Sequence, residues 1–449
     1  MIHFVGIGGI GMSGIAEILL RSGYEISGTD IRRNDEVEKL HSLGARIFIG
    51  HRVEHLPTEA KTVVFSSAVS PNNPEMLEAK KRGLIILSRA EMLAELMRKK
   101  PSVVVSGSHG KTTTSAMVTT MMMHAGYDPT AVIGGKLKSI SGNAKMGSGK
   151  WFVAESDESD GSFLKLLPTV AVVTNVDREH LNHYGSYSKL EQAFVEFCQR
   201  VPFDGEVIIC ADDQGARNVT NLLDRKVVTY GFEASANVQA RNIQLLPAGA
   251  KYELFLDGAA MGRIQLRVTG NHNVYNSLAA VAVGIHVGLS VEKIVAGLAE
   301  YDGIGRRLEF KGKTANGTLV YDDYAHHPSE IKASLQALKI IAQKNNVHVL
   351  FQPHRFSRMG DLWNEFVTAF NGVENLFVLP IYAASETQIP GVTGEAFVKE
   401  VNALKTVACV HVADIDRGVQ ELLKVAKAGD IVVSMGAGDV TRASLGLVA

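Results

Sequence analysis

Residues 103–114 read Val-Val-Val-Ser-Gly-Ser-His-Gly-Lys-Thr-Thr-Thr. Three apolar residues, a turn with two glycines and a Gly-Lys-Thr start predict strand, loop and helix (111–125) in that order. Such a turn aims backbone N–H groups and a helix dipole of about half a charge at anionic oxygens. Lys111 would reach the β- and γ-phosphates of a nucleoside triphosphate, and Thr112 would hold Mg2+. Only two residues separate Gly107 and Gly110, so the loop is a short variant of the usual phosphate loop. Gly107, Ser108, His109, Gly110, Lys111, Thr112 and Thr113 are the candidate phosphate residues; a basic helix cap is the plainer alternative.

Phosphoryl chemistry also needs metal-binding carboxylates. Residues 151–154 form an apolar run that ends in Glu155-Ser-Asp-Glu-Ser-Asp160. An acid at the end of a buried strand beside a phosphate loop matches the Mg2+-binding role, because oxygen ligands suit that ion. A solvated acidic loop is the alternative. A second apolar run, 170–174, leads into Val176-Asp-Arg-Glu-His180. Ligands of parallel sheets bind beyond the carboxyl ends of strands, so this segment would face the same site.

Working outward, the N-terminus carries a second glycine turn, Gly6-Ile-Gly-Gly-Ile-Gly11. Gly6, Gly8, Gly9 and Gly11 lie between a strand (3–5) and a helix (11–22), and Asp30 ends the next strand (25–29), where a ribose-binding acid would sit. On these residues alone the ligand would be NAD. Further strands are expected at 46–49 and 62–66. Residues 236–270 alternate polar and apolar without helical period, which suggests an antiparallel excursion. Helices return at 273–287 and 291–300. A last block alternates strands (319–321, 348–351, 376–379, 431–434) with helices (329–344, 417–427). The fold class is α/β with three domains, each a mainly parallel sheet flanked by helices: Rossmann-like at 1–98, a phosphate-loop domain at 99–307, and Rossmann-like at 308–449.

The whole chain agrees with that reading. Its 449 residues include 46 Lys+Arg against 47 Asp+Glu, so no global basic surplus points to nucleic acid. Hydrophobic residues make up 46%, enough for sizeable cores. Cys198, Cys210 and Cys409 sit in apolar surroundings without CxxC spacing and read as reduced core residues. No signal peptide and no membrane span is expected, which suggests a cytoplasmic protein. The sequence leaves open a monomer or a homodimer.

Four more polar clusters stand out: Gly270-Asn-His-Asn-Val-Tyr-Asn276, Gly303-Ile-Gly-Arg-Arg307, Asp322-Asp-Tyr-Ala-His-His-Pro328 and Gln352-Pro-His-Arg-Phe-Ser-Arg358. The first could simply cap a helix. Paired arginines suit phosphates or carboxylates. Together with the two glycine turns and the Glu155 segment, and in this order, the clusters resemble the Mur ligases of peptidoglycan synthesis over essentially the whole chain.

Within that family they look most like the members that add L-alanine. The resemblance implies a uridine diphosphate moiety, not NAD, on Gly6, Gly8, Gly9, Gly11 and Asp30. It implies that ATP phosphorylates the lactyl carboxylate of UDP-N-acetylmuramate and that the L-alanine amine displaces phosphate from the acyl phosphate. Lys111, Glu155 and His180 would be catalytic. Thr112 and Glu155 would bind one Mg2+, and His180 a second. Asn271, His272, Asn273 and Asn276 fall in the adenine-contacting segment, Arg306 or Arg307 would touch the phosphates, and Asp322 or Asp323 the ATP ribose. Tyr324, His326, His354, Arg355 and Arg358 look like the amino-acid site. Ser108 stands where the family usually has Thr. Ala325 stands where many alanine-adding members have Gly; the members that attach a murein tripeptide also carry Ala there, which makes those the runner-up. A dehydrogenase or a non-catalytic nucleotide switch would be the reading from another class.

Overall fold

The computed structural model describes residues 1–384 and 386–448. The chain divides into two compact units, one of Met1–Asn242, Glu253–Ile264 and Tyr275–Tyr301, the other of Ile243–Tyr252, Gln265–Val274 and Asp302–Ala449.

The first unit opens with β1 (Ile2–Val5), β2 (Ile26–Asp30), β3 (Arg46–Ile49), β4 (Thr62–Phe65) and β5 (Ile85–Ser88). They form one parallel sheet in the order β3-β2-β1-β4-β5. The order reverses beside β1, so the turn after it lies at a topological switch point, where α/β sheets bind ligands. Phe4, Val5, Val63 and Val64 are fully buried, as strands covered on both faces require. The helix Ile10–Arg21 packs its buried residues Ile15, Ile18 and Leu19 inward.

A ten-stranded sheet follows. Its strands are β6 (Ser102–Ser106), β7 (Thr130–Leu137), β8 (Gly142–Lys145), β9 (Phe152–Glu155), β10 (Val170–Val173), β11 (Glu206–Cys210), β12 (Val227–Gly231), β13 (Val238–Leu246), β14 (Gly249–Leu256) and β15 (Ala259–Leu266). Their order is β15-β14-β13-β12-β11-β10-β6-β9-β7-β8. From β12 to β7 neighbours run parallel, and β8 returns antiparallel to β7. β6 is central, so the loop after it opens between the ends of β9 and β10. The helix Lys111–His124 behind it is buried from Thr112 to Met122 on every face, which is why it shows no amphipathic stripe.

In the second unit β16 (Glu309–Lys313), β17 (Leu319–Asp323), β18 (Val347–Phe351), β19 (Asn375–Val378), β20 (Ala408–His411) and β21 (Ile431–Met435) take the order β16-β17-β21-β18-β19-β20. All pairs are parallel except the edge pair β16–β17. Val349, Phe351, Phe370, Phe397 and Val433 form its core.

The expected parallel sheets with crossover helices are present. Seven strands lie outside the ranges expected from the sequence: β5, β7, β8, β11, β12, β16 and β20. β5 exposes Ile85, β20 is an edge strand that buries Cys409 alone, and β7 and β8 carry glycines and lysines inside a hairpin. The three cysteines are buried as expected. No helix among the described residues is long and apolar enough to cross a membrane.

Candidate active site

The loop after β6 is held by its own backbone strain and by its neighbours. Gly107 has φ +127° and Gly110 has φ +83°, conformations that side chains disfavour. A Cβ at Gly107 would run into Thr174, and one at Gly110 would lie 2.5 Å from Asn276 Oδ1. Asn175 braces the loop from the end of β10. Its Oδ1 accepts from His109 N–H at 2.8 Å, its Nδ2 donates to His109 O at 3.0 Å, and its own O accepts from Ser108 N–H. Ser108 Oγ accepts from Asp177 N–H.

Lys111 is turned inward. Its ammonium donates to Gly107 O at 2.6 Å, Ser108 O at 3.0 Å and Glu158 Oε2 at 2.9 Å, which uses all three of its protons. Burial works against the charge, but Glu158, Asp157 and Glu155 outweigh it and hold the ammonium pKa above its usual range. Burial likewise pushes the Glu158 carboxyl up to about 8, against the pull of Lys111.

Thr112 Oγ1 donates to Glu155 Oε1 at 2.9 Å, so the two residues expected to share a metal do meet. Glu155 Oε2 accepts from the N–H of Gly134 at 2.8 Å. His180 sits elsewhere in the ring of acids. Its Nε2 lies 3.5 Å from Glu158 Oε1, and Asp157, Glu158 and His180 offer ligand atoms within 4.8 Å of one another. Glu158 Oε1 is buried and accepts no hydrogen bond. A hydroxyl, several carboxylates and an orphaned buried carboxylate oxygen around one cation are a donor set that fits Mg2+.

The N-terminal turn is built differently. Gly8 N–H donates to Asp30 Oδ2 at 2.8 Å, and a Cβ there would meet Val37, Asn34 and Asp30 within 2.9 Å. Asp30 therefore closes the turn as well as ending β2. Arg89, the first residue of the helix Arg89–Met97, reaches back so that its guanidinium would lie 3.1 Å from a Cβ on Gly11. Among the described residues Arg89 forms no ion pair. A cavity of about 220 Å³ begins there and is lined by Ser88, Arg89, Asp160, Gly161, Ser162 and Lys165. It lies between the start of that helix and residues 160–162, the end of the acidic run.

Asn276 lies in the same unit and accepts from Thr114 Oγ1 at 3.2 Å, beside Gly110. Asn271, His272 and Asn273 belong to the second unit. There Asn273 Nδ2 donates to Thr269 O, while burial and then Arg307 depress the His272 pKa to about 4.

The second unit gathers the remaining candidates. Arg306, at φ +60°, donates to Asp322 Oδ2 at 3.2 Å and Gly436 O at 2.7 Å. Arg307 donates to Glu330, and both guanidinium groups lie over the Tyr324 ring. Asp322 differs from expectation. It is fully buried and also accepts from Ser434 Oγ at 2.6 Å and Thr441 Oγ1 at 2.7 Å, so its oxygens are committed to the fold rather than open to a ribose. Asp323 accepts from Ala325 N–H and Leu308 N–H, and burial raises it to about 6 despite Arg307.

His354 stacks on Tyr382 at 5.5 Å, and the His326 ring meets it edge-on at 5.9 Å. Arg358 donates to His354 Nδ1 at 3.3 Å, which leaves the ring proton on Nε2. Burial, then His326, Arg358 and Arg355, push the His354 pKa down to about 3. Arg355 holds φ +70° and donates its N–H to Tyr382 O. Tyr324, His326, His354, Arg355 and Arg358 thus form one cluster, with Tyr382 as an unforeseen member.

Sequence reading also passed over Glu158, Asn175, Gly134 and Arg89. Glu158 stood inside a quoted acidic run, so its residue type was visible. The other three lie outside the motifs.

A strained phosphate turn ringed by acids, a second glycine turn, and a basic cluster in a separate sheet together define a nucleotide-dependent ligase architecture. Sequence patterns of the Mur ligase family, catalytic domain, match residues 1–101, those of the Mur ligase middle domain residues 105–284, and those of the Mur ligase, glutamate ligase domain, residues 306–438. The chain belongs to the Mur ligase family.

It is 48% identical over 447 residues to a UDP-N-acetylmuramate–L-alanine ligase of Syntrophus aciditrophicus, covering 100% of this chain and 92% of that one. The crystal structure of a UDP-N-acetylmuramate–alanine ligase from Thermotoga maritima is similar at a TM-score of 0.84 and 29% identity, over 99% of this chain and 97% of that one. A murein peptide ligase from Psychrobacter arcticus shares the fold at a TM-score of 0.74 and 22% identity, over 100% and 99% of the two chains.

Proposed function

We propose that this chain is an ATP-dependent ligase that joins L-alanine to the lactyl carboxylate of UDP-N-acetylmuramate in peptidoglycan precursor synthesis, giving ADP and phosphate. The observation that carries the reading is Lys111, held among Glu155, Asp157 and Glu158 on a strained turn. Hydride transfer would use neither the lysine nor the acids.

A carboxylate is a poor acyl donor, so it must first gain a leaving group. Its oxygen attacks the γ-phosphorus of ATP, the bond to ADP breaks, and an acyl phosphate forms. The alanine amine then adds to the acyl carbon, phosphate leaves with its electron pair, and the amine's surplus proton passes to water or to the departing phosphate. Lys111 neutralises charge on the group in transit, worth several kcal/mol in a water-poor site. Thr112 and Glu155 would hold one Mg2+ and His180, with Glu158 joining it, a second; the ions supply charge neutralisation at the phosphates. Gly6, Gly8, Gly9 and Gly11 form a turn without bulky side chains, against the start of the helix Ile10–Arg21, on which the UDP diphosphate would lie, and Arg89 adds the positive charge that the turn lacks. Asn276 flanks the nucleotide. Arg355 and Arg358 would take the alanine carboxylate, beside His354, His326 and Tyr324.

On this reading three domains with joins near residues 101 and 308 carry the UDP substrate, ATP and the amino acid in turn. The three buried cysteines suit a reducing cytoplasm. Attachment of a murein tripeptide is the competing reading, and Ala325, buried beside the amino-acid cluster, is the residue that favours it.

Phosphate release decides between them. The protein with ATP, Mg2+, UDP-N-acetylmuramate and L-alanine should release phosphate well above background. No release with alanine overturns the proposal, and release with the tripeptide alone transfers it to the competing reading. Glycine and serine in place of alanine measure how strict the amino-acid site is.

A further inference from the structure

Gly134 lies in β7, where a glycine costs strand stability and marks a close approach. β7 pairs with β9 only from Thr130 to Val132. Two residues later the Gly134 N–H turns to a side chain and donates to Glu155 Oε2 at 2.8 Å. A Cβ at Gly134 would stand 2.5 Å from Glu155 Oε1 and 2.6 Å from Oε2. Gly134 is exposed and its φ is not positive, so neither packing nor backbone strain requires glycine there.

The backbone at 134 has little room to retreat. The hairpin of β7 and β8 is pinned to the first two helices of the N-terminal sheet, Ile10–Arg21 and Asp35–Ser42. Asn143 Nδ2 donates to Ile10 O and lies 3.3 Å from Ser13 Oγ, and Lys136 pairs with Asp35 at 3.1 Å and Glu36 at 3.2 Å. Added atoms at 134 must therefore displace the flexible end of Glu155.

We propose that Gly134 is a positioning residue for the metal-binding carboxylate: its N–H and its missing side chain together fix where Glu155 points. The inference rests on the role given to Glu155 above. Gly134→Ala then folds normally but holds Glu155 away from Thr112 Oγ1. Glu155→Asp, one methylene shorter, makes room for the added methyl.

The test is Mn2+ binding to the full chain in the presence of ADP, followed by loss of the free-ion electron paramagnetic resonance signal. Phosphate release against Mg2+ concentration and thermal melting are run alongside. Gly134→Ala is expected to melt within 2–3 °C of the wild type, to bind Mn2+ about tenfold more weakly, and to regain phosphate release at high Mg2+. Gly134→Ala with Glu155→Asp is expected to lose less than the two single effects added, as directly contacting residues do.

Mn2+ binding within twofold of wild type in Gly134→Ala, or strictly additive losses in the double variant, would overturn the inference. So would equal loss of Mn2+ affinity and melting temperature. If the wild type binds Mn2+ with ADP yet releases no phosphate with the alanine substrates, the functional reading fails and the positioning role stands.

Discussion

The two glycine turns of the first unit share a plan, strand then turn then helix at the carboxyl end of a parallel sheet, yet they are furnished for different work. The N-terminal turn closes on an acid, Asp30, through Gly8 N–H, and its nearby cation, Arg89, comes from a helix almost eighty residues on. Its helix starts at Gly9 in ordinary extended geometry. The turn after β6 carries its own cation, Lys111, enters its helix through Gly110 in the left-handed conformation, and faces Glu155, Asp157 and Glu158. A diphosphate that is only held needs N–H donors and a counter-charge. A phosphoryl group that is moved needs a cation within reach, a metal and the acids to bind it.

That contrast is breakable at its strongest point. Lys111→Ala should lower phosphate release by about 10³-fold, the scale for losing a charge stabiliser in a shielded site. Calorimetric titration should show binding of UDP-N-acetylmuramate unchanged within threefold. Loss of both in a folded variant would end the division of labour.

Gly107→Ala should follow, at about 10²-fold in ATP-dependent turnover with a lower melting temperature, since both the φ of +127° and Thr174 oppose a methyl there. Gly8→Ala should instead raise the KM for the UDP substrate and leave that for ATP alone, which steady-state kinetics reads directly.

Arg89→Ala should raise the KM for UDP-N-acetylmuramate about tenfold, or ~1.4 kcal/mol, with kcat within twofold. A kcat effect as large as the KM effect would move Arg89 from holding to chemistry.

The smallest effect lies outside both turns and serves as a control. His354 and His272 are depressed to about 3 and about 4 in the folded chain from an ordinary 6.5. Between pH 6.5 and those values the unfolded chain takes up protons that the folded one refuses, so stability falls as pH falls. Melting temperature should drop from pH 7 to pH 5, and His354→Gln should flatten that slope. An unchanged slope would refute the cause.

Much of this was legible beforehand because it is local. Strand, glycine turn and helix start at 103–114 follow one another within a dozen residues, and so do the acids after β9. The amino-acid cluster could be assembled from two motifs because each follows a strand of one sheet. The edge strand β20 and the hairpin β7–β8 were not legible, because an edge strand buries one side chain in two and a glycine-rich hairpin has no apolar period. Asp322 was visible as an acid after a strand, but not as one enclosed by Ser434, Thr441 and Arg306.

Sequence by itself determined the residue types, their order along the chain, and therefore the family and its ligase chemistry. Tertiary structure decided the partners. It paired Lys111 with Glu158, placed His180 against Glu158, brought Arg89 to Gly11, and set the bare backbone of Gly134 against the Glu155 carboxylate. The physical reason is range. Turn chemistry and periodicity act between near neighbours in the chain. Hydrogen bonds and excluded volume act over about 3 Å in space, between residues that only the completed sheet brings together.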